Sequence, residues 1–258
     1  MIAPLIDACR TAYGVTRSLA IYHGRPSRLR RLENFYRAFI EPGDLCFDIG
    51  AHAGNRISAW RRLDARVVAV EPQPSMMRML RWIYGRDTAV TLVEAAVGAQ
   101  PGSVTLHLNL ENPTIATLSC SFIEQAKRMP SFSGQRWTRC VQVQALTLKQ
   151  LIDRHGEPRF LKIDVEGWEA EVLATLTQPP FAISFEFVPM ARNIAALCVE
   201  HLVALAPYHF NASLGDSMDL VHQRPLDHRA ILAWLKSLEA DGPAGDVYAC
   251  IDENTLTI

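Results

Sequence analysis

The segment Leu45-Cys46-Phe47-Asp48-Ile49-Gly50-Ala51-His52-Ala53-Gly54-Asn55 limits the possible folds more than any other part of the chain. An apolar run ends beside an acid and passes into small residues and two glycines. This is how a buried strand turns tightly into a helix, with backbone exposed to a ligand at the turn. Gly50 and Gly54 let a ligand approach the main chain, and Asp48 puts a carboxylate at the mouth of the turn. Further on, the run Arg66–Val70 ends in Glu71-Pro72-Gln73-Pro74. An acid at the end of the second strand is placed to accept hydrogen bonds from the two hydroxyls of a ribose.

The alternation that follows sets the fold class. The spacing predicts strand 45–49, helix 54–63, strand 66–70, helix 74–84 and strand 90–95. This βαβαβ order calls for parallel strands with helices on both faces and the strand carboxyl ends on one rim. Asp48, Glu71 and Glu94 all fall at or near that rim. Residues 1–40 read as a helical extension in which Leu29, Leu32, Phe35, Tyr36 and Phe39 pack inward while Arg25, Arg28, Arg30, Arg31 and Arg37 face water, the alternative being a site for an acidic substrate or partner. One domain is expected over 41–258. It is interrupted at about 103–145 by two alternating runs, Val104–Leu108 and Cys140–Gln144, and the irregular stretch between them, read as a lid or substrate wall. Thr147 and Gln150 form a capping box for the next helix, and Ser119 is read as a plain loop serine.

Composition narrows the function. About half of the 258 residues are apolar and the formal net charge is −1, which gives no support for nucleic-acid or anionic-membrane binding in bulk. The six cysteines are scattered, as expected of reduced thiols in a cytoplasmic protein. Asp7 and Arg10 break the first apolar run too early for a secretory leader. No run of about 18 apolar residues predicts a transmembrane span.

A dinucleotide requires G-x-G-x-x-G. Here Ala51, His52 and Ala53 separate the glycines, and Asp48 would repel a diphosphate. A cationic ligand with a ribose and no phosphate fits better, and S-adenosylmethionine has those properties. The second chemical signal is Phe160-Leu161-Lys162-Ile163-Asp164-Val165-Glu166-Gly167. Strand alternation there puts Lys162, Asp164 and Glu166 on one face, an expensive set of buried charges unless they pair or bind something. Ala182–Phe187 is another strand with Glu186 near its end. The runs at 208–211 and 247–251, with a helix at 226–239, complete a predicted seven-stranded sheet with one antiparallel member.

Asp48-Ile49-Gly50-Ala51 with Gly54, Glu71-Pro72-Gln73-Pro74, Ala95-Ala96-Val97-Gly98, Lys162-Ile163-Asp164-Val165-Glu166-Gly167 and Ser184-Phe185-Glu186-Phe187 occur in an order and spacing that resembles the FkbM-type family of S-adenosylmethionine-dependent methyltransferases. The resemblance covers about residues 40–190. It implies a Rossmann-like fold and O-methylation of a hydroxyl on a sugar, glycolipid or natural product. Two positions depart from the pattern: His52 stands where asparagine is usual and Thr147 where aspartate is common.

The expected cofactor set is Asp48, Gly50, Ala51, His52, Gly54, Asn55, Glu71, Pro72 and Gln73, with Glu94, Ala95 and Ala96 beside the adenine. For an alcohol acceptor the base is expected to be Asp164 or Glu166, then Glu186, with Lys162 orienting them. The same carboxylates could instead hold a divalent cation. An oxidoreductase on a similar sheet and a binding protein that kept the fold without the chemistry are the other two classes open to this sequence.

Overall fold

In the computed structural model, which describes residues 2–257, seven strands form one sheet in the order β3-β2-β1-β7-β8-β10-β9. The strands are β1 (Leu45–Ile49), β2 (Arg66–Val70), β3 (Val90–Val93), β7 (Phe160–Ile163), β8 (Ala182–Phe187), β9 (His209–Leu214) and β10 (Gly245–Cys250). β1 pairs in parallel with both β2 and β7, and β7 with β8. β10 runs antiparallel to β8 and β9 and lies between them. The strands at the centre of such a sheet are covered on both faces, so they read as apolar runs rather than as alternations. Every residue of β1 is buried. The predicted strand at 90–95 ends two residues early, where β4 (Ala96–Val97) joins a separate three-stranded sheet with β5 (Gly102–Leu108) and β6 (Arg139–Leu146).

The helices are α1 (Ile2–His23), α2 (Pro26–Tyr36), α3 (Asn55–Arg62), α4 (Pro74–Tyr84), α5 (Cys120–Ala126), α6 (Leu148–His155), α7 (Glu169–Leu173), α8 (Arg192–Leu205) and α9 (His228–Ser237). One core cluster, including Phe47, Leu161, Ile163, Phe185 and Val199, lies on one face of the sheet. The opposite face carries a cluster that includes Tyr36, Phe39, Trp60, Phe160 and Tyr248. The apolar residues of α2 enter that second cluster as the sequence predicts, with Leu32 and Tyr36 buried, while Arg25, Arg30, Arg31 and Arg37 stay exposed.

The irregular segment is ordered. It contains α5, whose N-terminus is capped by Ser119 accepting from the Phe122 N–H, a role the sequence reading did not give that serine. The capping box at Thr147 and Gln150 is present in both directions. Among the described residues no helix is long and apolar enough to cross a membrane.

Candidate functional site

Parallel β1, β2 and β7 bring their carboxyl ends together, and the turns leaving them surround a cavity of about 260 Å³, room for a ligand rather than for a water or two. On one side lies the turn after β1. Gly50 has φ 85° and passes so close to the Asp164 backbone carbonyl that a Cβ would overlap its oxygen. Gly54, also left-handed at φ 74°, lies against the Tyr84 ring and Leu80, with no room for a side chain. His52 is the non-glycine exception at φ 44°. Its N–H donates to Glu71 Oε2 at 2.9 Å, and the Gln73 N–H donates to Glu71 Oε1 at 2.8 Å, so one buried carboxylate ties together the turns after β1 and β2.

Of the residues expected to hold a cofactor, Gly50, His52, Asn55, Glu71, Pro72, Gln73, Ala95 and Ala96 line the cavity. Asp48 lies just beneath them, 1% exposed, with Oδ2 shielded and unpartnered among the described residues. Asn55 Nδ2 is in the same condition. Ala51 is buried behind the same turn. Glu94 does not join the set. β3 ends at Val93, and the Glu94 carboxylate turns outward to Arg81 at 2.7 Å while its neighbours Ala95 and Ala96 face the cavity.

Burial sets the protonation on this side. It pushes the Glu71 carboxyl up to about 7, although two backbone N–H groups pull the other way. It pushes Asp48 up to about 6 and lowers His52 to about 4, so the imidazole is neutral at physiological pH. Among the contacts of the half-buried His52 ring, Nε2 lies 3.2 Å from Ser18 Oγ on α1, and the Tyr22 ring meets it edge-on. His23 Nε2 lies 2.7 Å from the Ala53 carbonyl. The first helix therefore braces the glycine turn, which the sequence reading, treating it as a packed extension, did not foresee.

The other side of the cavity carries charge. β7 ends at Ile163, so strand alternation stops there and does not carry Glu166 along the face of Lys162 and Asp164. Glu166 instead sits in a turn at φ 57°. That turn is held by Glu169, whose carboxylate accepts from the Val165 and Gly167 N–H groups, and by Thr117 Oγ1, which donates to the Glu166 carbonyl at 2.7 Å. Phe122 of α5 packs where a Gly167 side chain would be. Asp164 and Glu186 line the cavity, and Glu166 lies behind them. One carboxylate oxygen from each of the three falls within 4.8 Å of the others. Glu186 is not on an edge strand, since β8 is flanked by β7 and β10.

Lys162 is completely buried. Its ammonium pairs with Asp246 and lies 3.4 Å from Asp164 Oδ2, and Arg56 reaches both acids at 3.4 and 3.6 Å. Asp246 and Arg56 line the cavity and were missed by the sequence reading. Asp246 stands at the start of a strand far along the chain, and only the insertion of β10 beside β8 reveals it. For Asp164, burial acts upward, but Lys162 and Arg56 together hold it below the ordinary carboxylate range. Glu166 and Glu186 are pushed well above that range by burial and then by Asp164. The Glu186 Oε2 atom has no partner among the described residues.

Residues 114–118 of the irregular segment supply a third wall through Thr114, Ala116, Thr117 and Leu118, and Gln73 Nε2 donates to the Pro113 carbonyl at 3.0 Å.

No curated protein matches this sequence. Solved structures similar to it include a precorrin-6Y C5,15-methyltransferase from Geobacter metallireducens, 14% identical, covering 85% of this chain and 87% of that one with a TM-score of 0.44. A putative O-methyltransferase from Klebsiella pneumoniae is 12% identical over 92% and 89% of the two chains, with a TM-score of 0.47. An O-methyltransferase from Bacillus cereus in complex with SAH is 11% identical over 93% and 90%, with a TM-score of 0.43. The Methyltransferase FkbM domain matches residues 48–214, from the Asp48 turn through β9. By that match the chain belongs to the FkbM family of S-adenosylmethionine-dependent methyltransferases.

Proposed function

We propose that this methyltransferase transfers the methyl group to a hydroxyl oxygen of a sugar, glycolipid or other hydroxylated small molecule. The observation that carries the reading is the pair of carboxylates on the cavity wall opposite Glu71: Asp164 held charged by two cations, and Glu186 with an unpartnered oxygen and raised proton affinity. Two acids with their proton affinities driven apart in one cavity suit a site that anchors a hydroxyl and takes its proton.

The turns after β1 and β2 fit the cofactor. Glu71 would take the ribose hydroxyls, the unpartnered Asp48 and Asn55 groups would serve the amino-acid end, and Ala95 and Ala96 would lie beside the adenine. When bound, S-adenosylmethionine supplies a methyl group already activated by its sulfonium, so in-line displacement leaves the acceptor oxygen methylated and its proton to be removed. The protein's share is then orientation and proton transfer. Asp164, fixed between Lys162 and Arg56, accepts a hydrogen bond from the acceptor and stays ionised. Glu186, once ionised, is the stronger base and takes the proton. Glu166 lies behind them and tunes Glu186, and Lys162 keeps Asp164 charged.

A second reading rests on the closeness of the Asp164, Glu166 and Glu186 oxygens. A hard divalent cation there would replace the carboxylate base by acidifying the hydroxyl. Full activity after chelator treatment removes this reading, and loss restored by magnesium or manganese favours it. The six free cysteines fit a reducing, cytoplasmic setting.

The test of the main reading is calorimetric titration with S-adenosylmethionine and S-adenosylhomocysteine, followed by a screen for labelled methyl transfer to hydroxylated glycans. Micromolar cofactor binding, lost in Glu71→Ala, with an alkali-stable methyl ether in the product, is expected. Tight cofactor binding with the label on nitrogen or carbon overturns the choice of oxygen.

A further inference from the structure

A second cavity lies outside the one described. It is a groove of about 560 Å³ between α1 and α2, and its floor carries Arg17, Arg25, Arg28 and Arg31. One acid, Asp216, faces these four guanidinium groups there. Arg28 pairs with Asp216, while Arg17, Arg25 and Arg31 make no ion pair among the described residues; Arg17 instead donates to the Asn112 side chain at 3.1 Å. The wider sequence has the same bias: residues 1–40 hold seven arginines and two acids, although the whole chain is near neutral. Tyr13, 61% exposed, and Ile21, 38% exposed, give the groove an apolar wall beside the cations.

The groove adjoins the methyl-transfer cavity. Asp216 lines both, and the Arg28–Asp216 pair lies at their boundary. Tyr22 faces both ways too: it lines the central cavity, and the Arg28 guanidinium lies over its ring at 4.8 Å. A molecule with its hydroxyl at Asp164 and Glu186 and a substituent extending past Tyr22 would put that substituent among the arginines. Guanidinium groups clustered in this way match the oxygens of a phosphate, which they bind in forked pairs.

We propose that this groove is a phosphate subsite of the acceptor, so that the hydroxyl to be methylated belongs to a phosphorylated, polyhydroxylated compound. The phosphate ester is either a free sugar phosphate or the phosphate linking a sugar to a lipid, the apolar wall of Tyr13 and Ile21 being able to lie against an attached chain. The phosphate displaces Asp216 from Arg28, which opens the boundary between groove and cavity as the acceptor seats. This inference rests on the reading of the central cavity as a methyl-acceptor site.

The test measures binding directly. The intact protein is titrated with inorganic pyrophosphate and, separately, sedimented with phosphatidylcholine vesicles with and without phosphatidylinositol. Arg25→Glu with Arg31→Glu is the test variant, both positions being exposed and outside the cofactor turns. S-adenosylhomocysteine titration of both proteins is the control. Pyrophosphate binding that weakens about tenfold or more in the variant, with S-adenosylhomocysteine affinity unchanged, is expected and indicates a free phosphate ester. Arginine-dependent retention on phosphatidylinositol vesicles without pyrophosphate binding supports the subsite and indicates the lipid-linked source. Absence of arginine-dependent binding to either probe overturns the proposal, as does an oligoribonucleotide that binds through the same arginines more tightly than pyrophosphate. Failure of the parent protein to bind S-adenosylhomocysteine refutes the methyltransferase reading instead, and leaves any arginine-dependent pyrophosphate binding as a separate result.

Discussion

The two walls of the central cavity are built on opposite principles. The wall formed by the turns after β1 and β2 is local: Glu71 satisfies N–H groups at positions 52 and 73, and the glycines provide the close approaches. The wall formed by β7, β8 and β10 is assembled over long range: Lys162 has its nearest counter-ion at Asp246, and Arg56 joins them from α3. The local wall takes its shape mainly from these short-range bonds, with α1 and Pro113 bracing it, a geometry that would suit a constant cofactor. The assembled wall holds unmatched acids, whose proton affinities depend on the surroundings, and is suited to chemistry.

Substitution at Gly50 is expected to have the largest effect, because this residue touches both walls. In Gly50→Ala the added methyl meets the Asp164 carbonyl at a left-handed φ. The expected cost is on the order of 4 kcal/mol in urea denaturation, with loss of cofactor binding. An unchanged melting temperature would show that the walls can part without strain. Next comes Asp246→Asn, which leaves the buried Lys162 short of charge and should destabilise the fold by about 3 kcal/mol. A much smaller loss would mean that Asp164 alone can balance both cations.

Glu71→Gln is expected to keep the fold and weaken S-adenosylhomocysteine binding by roughly thirtyfold in calorimetry. The pH dependence sharpens the same point. Burial raises Glu71 to about 7, so the folded carboxyl keeps its proton at pH values where the unfolded chain has lost it. Stability of the cofactor-free protein should therefore fall as pH rises from the ordinary carboxylate range through about 7, and level off above it. Cofactor affinity should move the other way, since only the carboxylate accepts both ribose hydroxyls, with proton release on binding near neutral pH. Affinity flat across neutrality would contradict the role given to Glu71. The smallest effect belongs to a site outside both walls: Thr147→Ala removes the cap of α6 and should cost about 1 kcal/mol without changing cofactor binding.

The local wall was readable in the sequence because each part lies within a few residues of its partner: acid, glycine turn, next acid. The sheet was readable for a similar reason, as the apolar runs and the helices between them alternate at regular spacing. Glu94 escaped that logic, since its side chain turns away toward Arg81 once β3 ends at Val93. Glu166 was placed beside Asp164, but a left-handed turn rather than strand alternation puts it there. Asp246 and Arg56 carry no sequence signal, because a lone aspartate at a strand start and an arginine in a helix are ordinary until topology brings them together. The bracing of His52 by Ser18 and Tyr22 was hidden in the same way, since a helical pattern does not tell which turn a helix will lie across.

The insertion of β10 between two strands that precede it also means that the sheet cannot be completed before residues 245–250 have been synthesised. β1, β2 and the Glu71 clasp lie early in the chain, whereas Lys162 waits for residue 246 before it has its nearest counter-ion. A nascent chain halted at 230 would expose the edge of β8, a ready template for pairing with other chains, and would leave Lys162 with Asp164 but without Asp246. The charged wall thus depends on a strand far along the sequence: a chain lacking residues 245–250 keeps every residue of the turns after β1 and β2 but loses the acid nearest Lys162.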